Sequence, residues 1–346
     1  MLPSFEIEQN KQLRDLHTFG VPWRAQFFVS VTDTTQLHDA LQIARGQSQQ
    51  IFVLGGGSNI LPTETYKGLV IANCISGRSV ISDSEEEIVL HIGAGESWHD
   101  TVVWCTEHGY YGLENMALIP GTVGGAVVQN IGAYDVEISQ VIRGVHAVHI
   151  DTQESDFIEN KECRFEYRNS LFKKNIGAYV VVGVELCLSK TFTPVLSYEP
   201  LKKLQSKKDL TALDVVQEVI SIRQSKLPDW NVIGTAGSFF GNPRLEERLV
   251  RRLSKKHKDM PVFTDKQTGE KIIPAGWLIE NSKLDKQVRK DFLYAKHALV
   301  VVNNLKGKKD IPQKYGKQIY HASKMIVNRV EKDFGITLER EVLVVK

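Results

Sequence analysis

The stretch ALIPGTVGGAVVQNIGAYDVE, residues 117–137, constrains this chain more than any other. It sets Gly121, Gly124, Gly125 and Gly132 among small and apolar residues, with no Lys or Arg and its only two acids near the end. Glycines this dense let backbone pass through positive φ or come within contact distance of a ligand. Successive N–H groups in such a loop can form a concave anion site. A tight turn between strands is the plainer reading of any one glycine pair, so the rest of the chain decides.

A second glycine loop lies upstream. The apolar run IFVL (51–54) has the pattern of a short buried strand and leads straight into GGGSNI (55–60). A strand feeding a glycine loop is a common way to present backbone N–H groups to a phosphate. The spacing is neither G-x-G-x-x-G opening a helix nor G-x-x-x-x-G-K-[ST], so the Rossmann and P-loop readings are not supported.

At 346 residues the chain is long for one core, and two or three domains are expected. It contains no run of about 18 apolar residues that would make a transmembrane helix. Its first residues, MLPSFEIEQNKQLRDL, lack the basic-then-apolar layout of a signal peptide, so a cytoplasmic location is expected. Cys74, Cys105, Cys163 and Cys187 are widely spaced, which argues against a zinc site or a disulfide framework. Each is expected to pack as a small apolar residue, and no metal site is expected. A net charge of +2 gives no reason to expect nucleic acid. The charge is uneven, however: residues 244–310 hold 17 Lys/Arg against nine Asp/Glu. A solvated helical face is the plainer reading, and attraction of an anionic ligand the sharper one.

Thr34 or Thr35 is expected to cap a helix with Leu37, Leu41 and Ala44 on its apolar face. Strands are expected at 68–73, 87–95, 141–150 and 178–188, the last central because it is nearly all apolar. Ser97 with Asp100, and Thr211 with Asp214, have capping-box spacing. The second of these opens a helix expected to bury Leu213, Val216 and Ile220. Lys226–Pro243, rich in Gly, Asn and Pro, reads as a domain junction. A charged helix (245–256), a strand (298–304) and a long helix ending at Gly335 follow. The closing run ITLEREVLVV is expected to be one strand, with Ile336, Leu338, Val342 and Val344 on one face and Glu339 and Glu341 on the other. The mixture indicates an α+β fold.

Three polar positions stand out. Arg168, in Tyr167-Arg168-Asn169-Ser170 ahead of Leu171-Phe172, offers a planar fork suited to a carboxylate or phosphate. Ser238, between Gly237 and two phenylalanines, is expected to be partly buried; it is not in a G-x-S-x-G elbow, so a hydrolase nucleophile is disfavoured. Glu341 lies in the closing strand. The plainer readings are a surface ion pair, a loop-capping hydroxyl and a solvent-facing acid. No histidine has neighbours suggesting a triad or a metal role.

Read in order, HTFG (17–20), LGGGSN (54–59), IPGTVGG (119–125), QNIGAY (129–134), YRNSLF (167–172), GSFFGNP (237–243), AGWLIE (275–280) and LEREV (338–342) form a specific set. It closely resembles the UDP-N-acetylenolpyruvoylglucosamine reductases, also called UDP-N-acetylmuramate dehydrogenases, along nearly the whole chain. The resemblance implies a two-part FAD-binding unit of the vanillyl-alcohol-oxidase type plus a third α+β substrate domain. The expected divisions are 1–75 with 336–346, then 76–227, then 228–335. It implies that NADPH reduces FAD and that the flavin N5 passes hydride to UDP-N-acetylglucosamine enolpyruvate. The product is UDP-N-acetylmuramate, a peptidoglycan precursor.

By motif, Ser238 would donate the proton, and Arg168 and Glu341 would stabilise the enol-like intermediate. The FAD positions fall on Gly55, Gly56, Gly57, Ser58 and Asn59 in one loop, and on Ile119, Pro120, Gly121, Thr122, Gly124 and Gly125 in the other. Asn130, Gly132, Ala133 and Tyr134 complete them. Ile119, Val123 and Ile131 would line the flavin, and backbone N–H groups would hold the diphosphate. Tyr167, Tyr198, Lys226 and Asn242 match substrate positions, Tyr198 within LSYEPL, the loop that marks the longer subgroup. The sequence departs from the pattern at Arg340, where the family usually has Pro; on the opposite face from Glu341 it is expected to have little effect, and only an inward bend would disturb the setting of Glu341. A monomer acting on small molecules, without nucleic acid or membrane, is implied. Two other readings remain: another oxidoreductase on the same flavin scaffold, or a catalytically idle nucleotide-sugar-binding protein.

Overall fold

The computed structural model describes residues 5–265 and 268–346. The chain divides into two compact units: Met1–Lys11, Ala25–Gly57 and Tyr66–Ser225 in the first, and Gln12–Arg24, Ser58–Thr65 and Lys226–Lys346 in the second. The boundary after Ser225 falls at the start of the Gly- and Pro-rich segment. The fold is α+β, as the mixture of short strands and helices indicates.

The first unit has two sheets. One has the strand order Glu8–Gln12, Arg24–Val31, Tyr66–Asn73, Ile51–Leu54, with Tyr66–Asn73 parallel to both neighbours. The helix Thr34–Gly46 buries Leu37, Ala40, Leu41 and Ala44 in the same core as Val29, Val31, Leu69 and Ile71. Its cap is Asp33 rather than a threonine: the carboxylate accepts from Gln36 N at 2.8 Å, an arrangement worth about 1 kcal/mol.

The other sheet is antiparallel, in the order Ser155–Glu159, Ile142–His149, Tyr179–Ser189, Glu87–Gly93, Arg78–Asp83. Tyr179–Ser189 is its middle strand, and Val180–Leu186 are buried without a break. Ser97 accepts from Asp100 N and opens the helix Trp98–Glu107. Thr211 and Asp214 bond each other reciprocally at the start of Ala212–Lys226. That helix buries Ala212, Val215, Val216, Val219 and Ile222. Leu213, expected inside, is 43% exposed. The apolar positions allow two overlapping faces, and packing selects the one with more β-branched residues.

The second unit pairs Gly234–Ser238 with His297–Asn303, and Leu293–Tyr294 extends that sheet. The helix Tyr315–Phe334 buries Ile319, Ala322, Ile326 and Val330 on one face and ends at Gly335, φ +71°, a common helix stop. The closing run is not one strand. Leu343–Val345 pairs parallel with Ile60–Pro62, whereas Arg340 forms a lone bridge with Phe240. The chain changes partner at Val342, so the ladder breaks there: Ile336, Leu338 and Val342 are buried as the alternation requires, but beyond them Val345 is buried and Val344 only half-buried.

His17 of the HTFG motif is buried, and its Nε2 lies 3.1 Å from the Val21 carbonyl. Burial lowers its pKa to about 4. Cys105 and Cys163 are buried, and desolvation pushes both thiols up to about 12, which leaves them inert at neutral pH. Cys74 is exposed and Cys187 half-exposed, so these two do not pack as core residues.

Candidate functional site

The two glycine loops meet within the first unit. A Cβ placed on Gly56 would lie 2.7 Å from Gly121 Cα, and one on Gly55 would lie 2.7 Å from Thr122 Oγ1. At Gly56 only glycine allows this approach, because the obstacle is backbone; at Gly55 it is the Thr122 hydroxyl. Gly121 takes φ +116° and its carbonyl accepts from Trp98 N at 3.0 Å, which fixes the turn.

The stretch 117–137 is more than a turn. Thr122 caps a short helix, Val123–Gln129, and Asn130 ends it in the left-handed region. Gly124 and Gly125 therefore sit in a first helical turn. The Val123 and Gly124 amides donate to the Glu96 and Ala94 carbonyls, both at 2.9 Å. Those two N–H groups are thus committed to the protein and unavailable to a diphosphate. Gly124 is needed for packing, since a Cβ there would lie 2.9 Å from Ala94 Cβ. Val123 is fully buried, so it belongs to the core and lines no surface. Ile119 and Ile131 are half-buried beside that core.

Among the described residues, half of the ten non-glycine residues with positive φ fall here: Leu118, Asn130, Tyr134, Asp135 and Arg168. Strained backbone of this kind persists where surroundings over-determine it, and it clusters at functional sites. The surroundings are visible. Leu118 is gripped from both sides: its N–H donates to His99 Nδ1 at 3.1 Å, and its carbonyl accepts from Arg223 Nε at 3.1 Å. Asn130 is buried. Its side-chain amide donates to Glu166 O and Glu137 Oε2, and its Oδ1 accepts from Ser139 N. With both amide hydrogens and Oδ1 bonded within the protein, the Asn130 side chain organises the loop.

That organisation places Arg168. Its guanidinium donates to Gly132 O at 2.6 Å and Asn130 O at 3.3 Å, and lies 5.1 Å from the Tyr167 ring. Two carbonyls account for two of its five N–H donors. Gly132 is required beneath it, as a Cβ would lie 2.7 Å from Val136 O, besides coming 3.1 Å from Nη1. Tyr134 packs against Tyr198, ring centroids 4.7 Å apart, and hydrogen-bonds Arg223. Burial pulls the Arg223 guanidinium below the ordinary arginine range, and Tyr134 opposes that shift. None of the sequence motifs singles out Arg223. The available signal was a cation one residue after the buried Ile222.

The second unit carries Ser238 and Glu341 and brings them together. Glu341 N donates to Phe239 O at 3.1 Å, and Gly241 N donates to Glu339 O at 3.0 Å, on either side of the Phe240–Arg340 bridge. The Glu341 carboxyl reaches back along Gly241, where a Cβ would lie 3.3 Å from Oε1. Asn59 Nδ2 donates to the Glu341 carbonyl at 3.0 Å, so this side chain supports the closing segment. Ser238 is exposed, contrary to expectation, while Phe239 and Phe240 on its C-terminal side are fully buried. The phenylalanines anchor the strand, and Gly237, φ +71°, turns the serine outward. Asn242 Oδ1 accepts from Ala275 N and so starts the helix Ala275–Asn281. Lys226 is exposed and, with burial and Glu280, sets the field at His297, whose pKa is lowered chiefly by burial.

Comparison with known proteins agrees with this geometry. Residues 25–153 match the profile of an FAD binding domain. Residues 228–345 match that of the UDP-N-acetylenolpyruvoylglucosamine reductase C-terminal domain. The chain is 38% identical to the UDP-N-acetylenolpyruvoylglucosamine reductase of Pseudoalteromonas atlantica, covering 97% of this chain and 96% of that protein. It is 36% identical to the one from Flavobacterium johnsoniae, covering 98% and 100%. Among solved structures, the UDP-N-acetylenolpyruvylglucosamine reductase of Thermus caldophilus superposes with a TM-score of 0.64 at 22% identity, covering 99% of this chain and 100% of that one; at that identity the match speaks for the fold. Full-length similarity to these relatives, with both profiles falling on the loops and strands just described, shows that the chain belongs to the UDP-N-acetylenolpyruvoylglucosamine reductase family.

Proposed function

We propose that this chain is an NADPH-dependent FAD enzyme that reduces UDP-N-acetylglucosamine enolpyruvate to UDP-N-acetylmuramate for peptidoglycan synthesis. The observation that carries this reading is the closure of Gly55–Gly56 on Gly121–Thr122 within the region that matches an FAD binding domain. Two glycine loops packed this closely, with little side chain between them, fit a cofactor held by backbone. Backbone N–H groups of Gly55, Gly56, Gly57, Gly121 and Thr122 would hold the FAD diphosphate, with Ile119 against the flavin and Pro120, which has no N–H, shaping the turn. When bound, FAD supplies the two-electron chemistry that couples NADPH oxidation to reduction of the enolpyruvyl double bond.

The chain's own residues manage charge and protons. Reduction at the CH2 carbon drives negative charge onto the neighbouring carbon and its carboxylate. Arg168, with donors beyond those used on Asn130 and Gly132, binds that carboxylate; a preorganised group of this kind contributes about 3 kcal/mol in the transition state. Glu341 acts either protonated or paired with a cation, because a bare carboxylate would oppose the developing charge. Ser238 gives its proton to the carbanion-like carbon, a base strong enough to take it. Tyr198, Tyr167, Lys226 and Asn242 bind the substrate, and residues 228–335 form the substrate domain. The enzyme works in the cytoplasm as a monomer; no helix among the described residues is long and apolar enough to cross a membrane.

The test is turnover with product analysis. NADPH should be consumed only when the enolpyruvyl substrate is present, and mass spectrometry should find a product heavier by two hydrogens. Oxidation of a sugar or phenol with O2 as acceptor, and none with the enolpyruvyl compound, would favour another oxidoreductase on this scaffold.

The loop anchor gives FAD retention a pH dependence. His99 Nδ1 must be unprotonated to accept from Leu118 N. Burial lowers the His99 pKa, with Asp100 opposing and Arg223 adding to the shift, so the acceptor survives at neutral pH. Acidification through that lowered pKa protonates Nδ1 and frees Leu118, and FAD affinity should fall. Flavin fluorescence titrations carried from neutral pH to well below the ordinary histidine range should show weaker binding at the acid end. His99→Asn, which accepts without titrating, should flatten the trend; an equally steep profile in that variant would contradict the assignment.

A further inference from the structure

Arg340 is the residue at which this chain leaves the family's Leu-Glu-Pro-Glu-Val pattern, and the structure gives it definite contacts. Its Nε donates to Ser323 Oγ at 2.9 Å. Ser323 is fully buried in the long helix Tyr315–Phe334, and its hydroxyl donates to Tyr320 O at 2.7 Å. The guanidinium also lies 5.2 Å from the Tyr320 ring centroid. A cation over an aromatic face at this distance is attracted to the ring. Arg340 is thus held to one helix by a hydrogen bond and a ring contact.

The backbone around it is less constrained. The Phe240–Arg340 bridge is a lone pair, flanked by Glu341 N to Phe239 O and Gly241 N to Glu339 O. These bonds sit on either side of Arg340 and do not use its own N–H. A proline would keep both bonds and stiffen the segment through its fixed φ. An arginine has no such stiffness, so its side chain must provide the restraint. Successive side chains of an extended segment point to opposite sides. Tying residue 340 to the helix therefore directs residue 341 the other way, along Gly241.

We propose that Arg340 is a positioning residue for Glu341, setting the direction of its carboxyl through the anchor on Ser323 and Tyr320. The proposal rests on the role given to Glu341 above. It replaces the sequence-based expectation that Arg340 has little effect.

The test is a double-mutant cycle on the FAD-loaded enzyme, using Arg340→Ala, Glu341→Gln and the double variant. Arg340→Ala should slow reoxidation of the reduced enzyme by the enolpyruvyl substrate by about 10- to 100-fold. Its reduction by NADPH should proceed at the wild-type rate. Added to Glu341→Gln, it should cause no further loss, because residues acting through one group are not additive. Affinity of the oxidised enzyme for UDP-N-acetylmuramate, read by calorimetry, should follow the same cycle. Ser323→Ala removes the anchor from the other side and should reproduce part of the loss. Unchanged reoxidation in both Arg340→Ala and Ser323→Ala, or losses that multiply in the double variant, would overturn the proposal. If Glu341→Gln alone reoxidises normally, the role of Glu341 itself fails, and the positioning of its carboxyl fails with it.

Discussion

Ser238→Ala is expected to separate the two halves of the catalytic cycle. NADPH should still bleach the flavin at the wild-type rate, because that step needs no proton from residue 238. Reoxidation by the enolpyruvyl substrate should slow by about 10²–10⁴-fold, the usual contribution of a positioned acid. The structure makes this a clean substitution. Ser238 is exposed, and its strand is anchored by the fully buried Phe239 and Phe240 and by the Thr235 and Val300 pairings. Removing one hydroxyl leaves those contacts in place, so a large loss cannot be ascribed to unfolding. Stopped-flow absorbance of the two half-reactions is the measurement. Normal reoxidation in Ser238→Ala would remove this serine from the mechanism.

Gly56→Val should abolish FAD retention while sparing the fold. The added Cβ would sit 2.7 Å from Gly121 Cα, and the obstacle is backbone that has no rotamer to yield. Gly56 is exposed, so the loops can separate without opening a core. The purified variant should be colourless, with a circular dichroism spectrum like that of the parent. Gly124→Val makes the contrast. Its Cβ would press on Ala94 inside the core, where overpacking costs about 1–3 kcal/mol, and its N–H is already bonded to Ala94 O. Stability should drop there together with FAD binding. Gly125→Val, whose Cβ meets only Thr122 Oγ1 at 3.6 Å, should disturb both least. A yellow, saturated Gly56→Val protein would sink the cradle assignment.

What could be read from the residues alone was what is local in the chain. Ser97 with Asp100 and Thr211 with Asp214 are bonded as their spacing suggests, because capping needs only residues a turn apart. The middle strand Tyr179–Ser189 was legible from its unbroken apolar run. Motif order located the two glycine loops and the Ser238–Glu341 segment pair. The supports of the site were not legible, because they are contacts between distant positions. Arg223 reaches Leu118 across 105 residues, and Asn59 reaches Glu341 across 282. Asn130 was read as a ligand-binding position, yet its side chain is occupied by Glu137, Ser139 and Glu166. The closing run alternates as a strand should, but alternation does not reveal that the chain changes partner between Phe240 and Ile60. In the cationic stretch, Arg251 pairs with Glu247 and Arg244 with Asp265.

The account rests on one claim: this chain holds FAD and uses it to move electrons from NADPH to an enolpyruvyl ether. An anaerobic titration followed in the visible range tests it most directly. The purified protein should be yellow, or become so with added FAD. One equivalent of NADPH should bleach it, and one equivalent of UDP-N-acetylglucosamine enolpyruvate should restore the yellow band without oxygen. A protein that refuses FAD, or a bleached one that regains its colour only when air is admitted, would contradict the account.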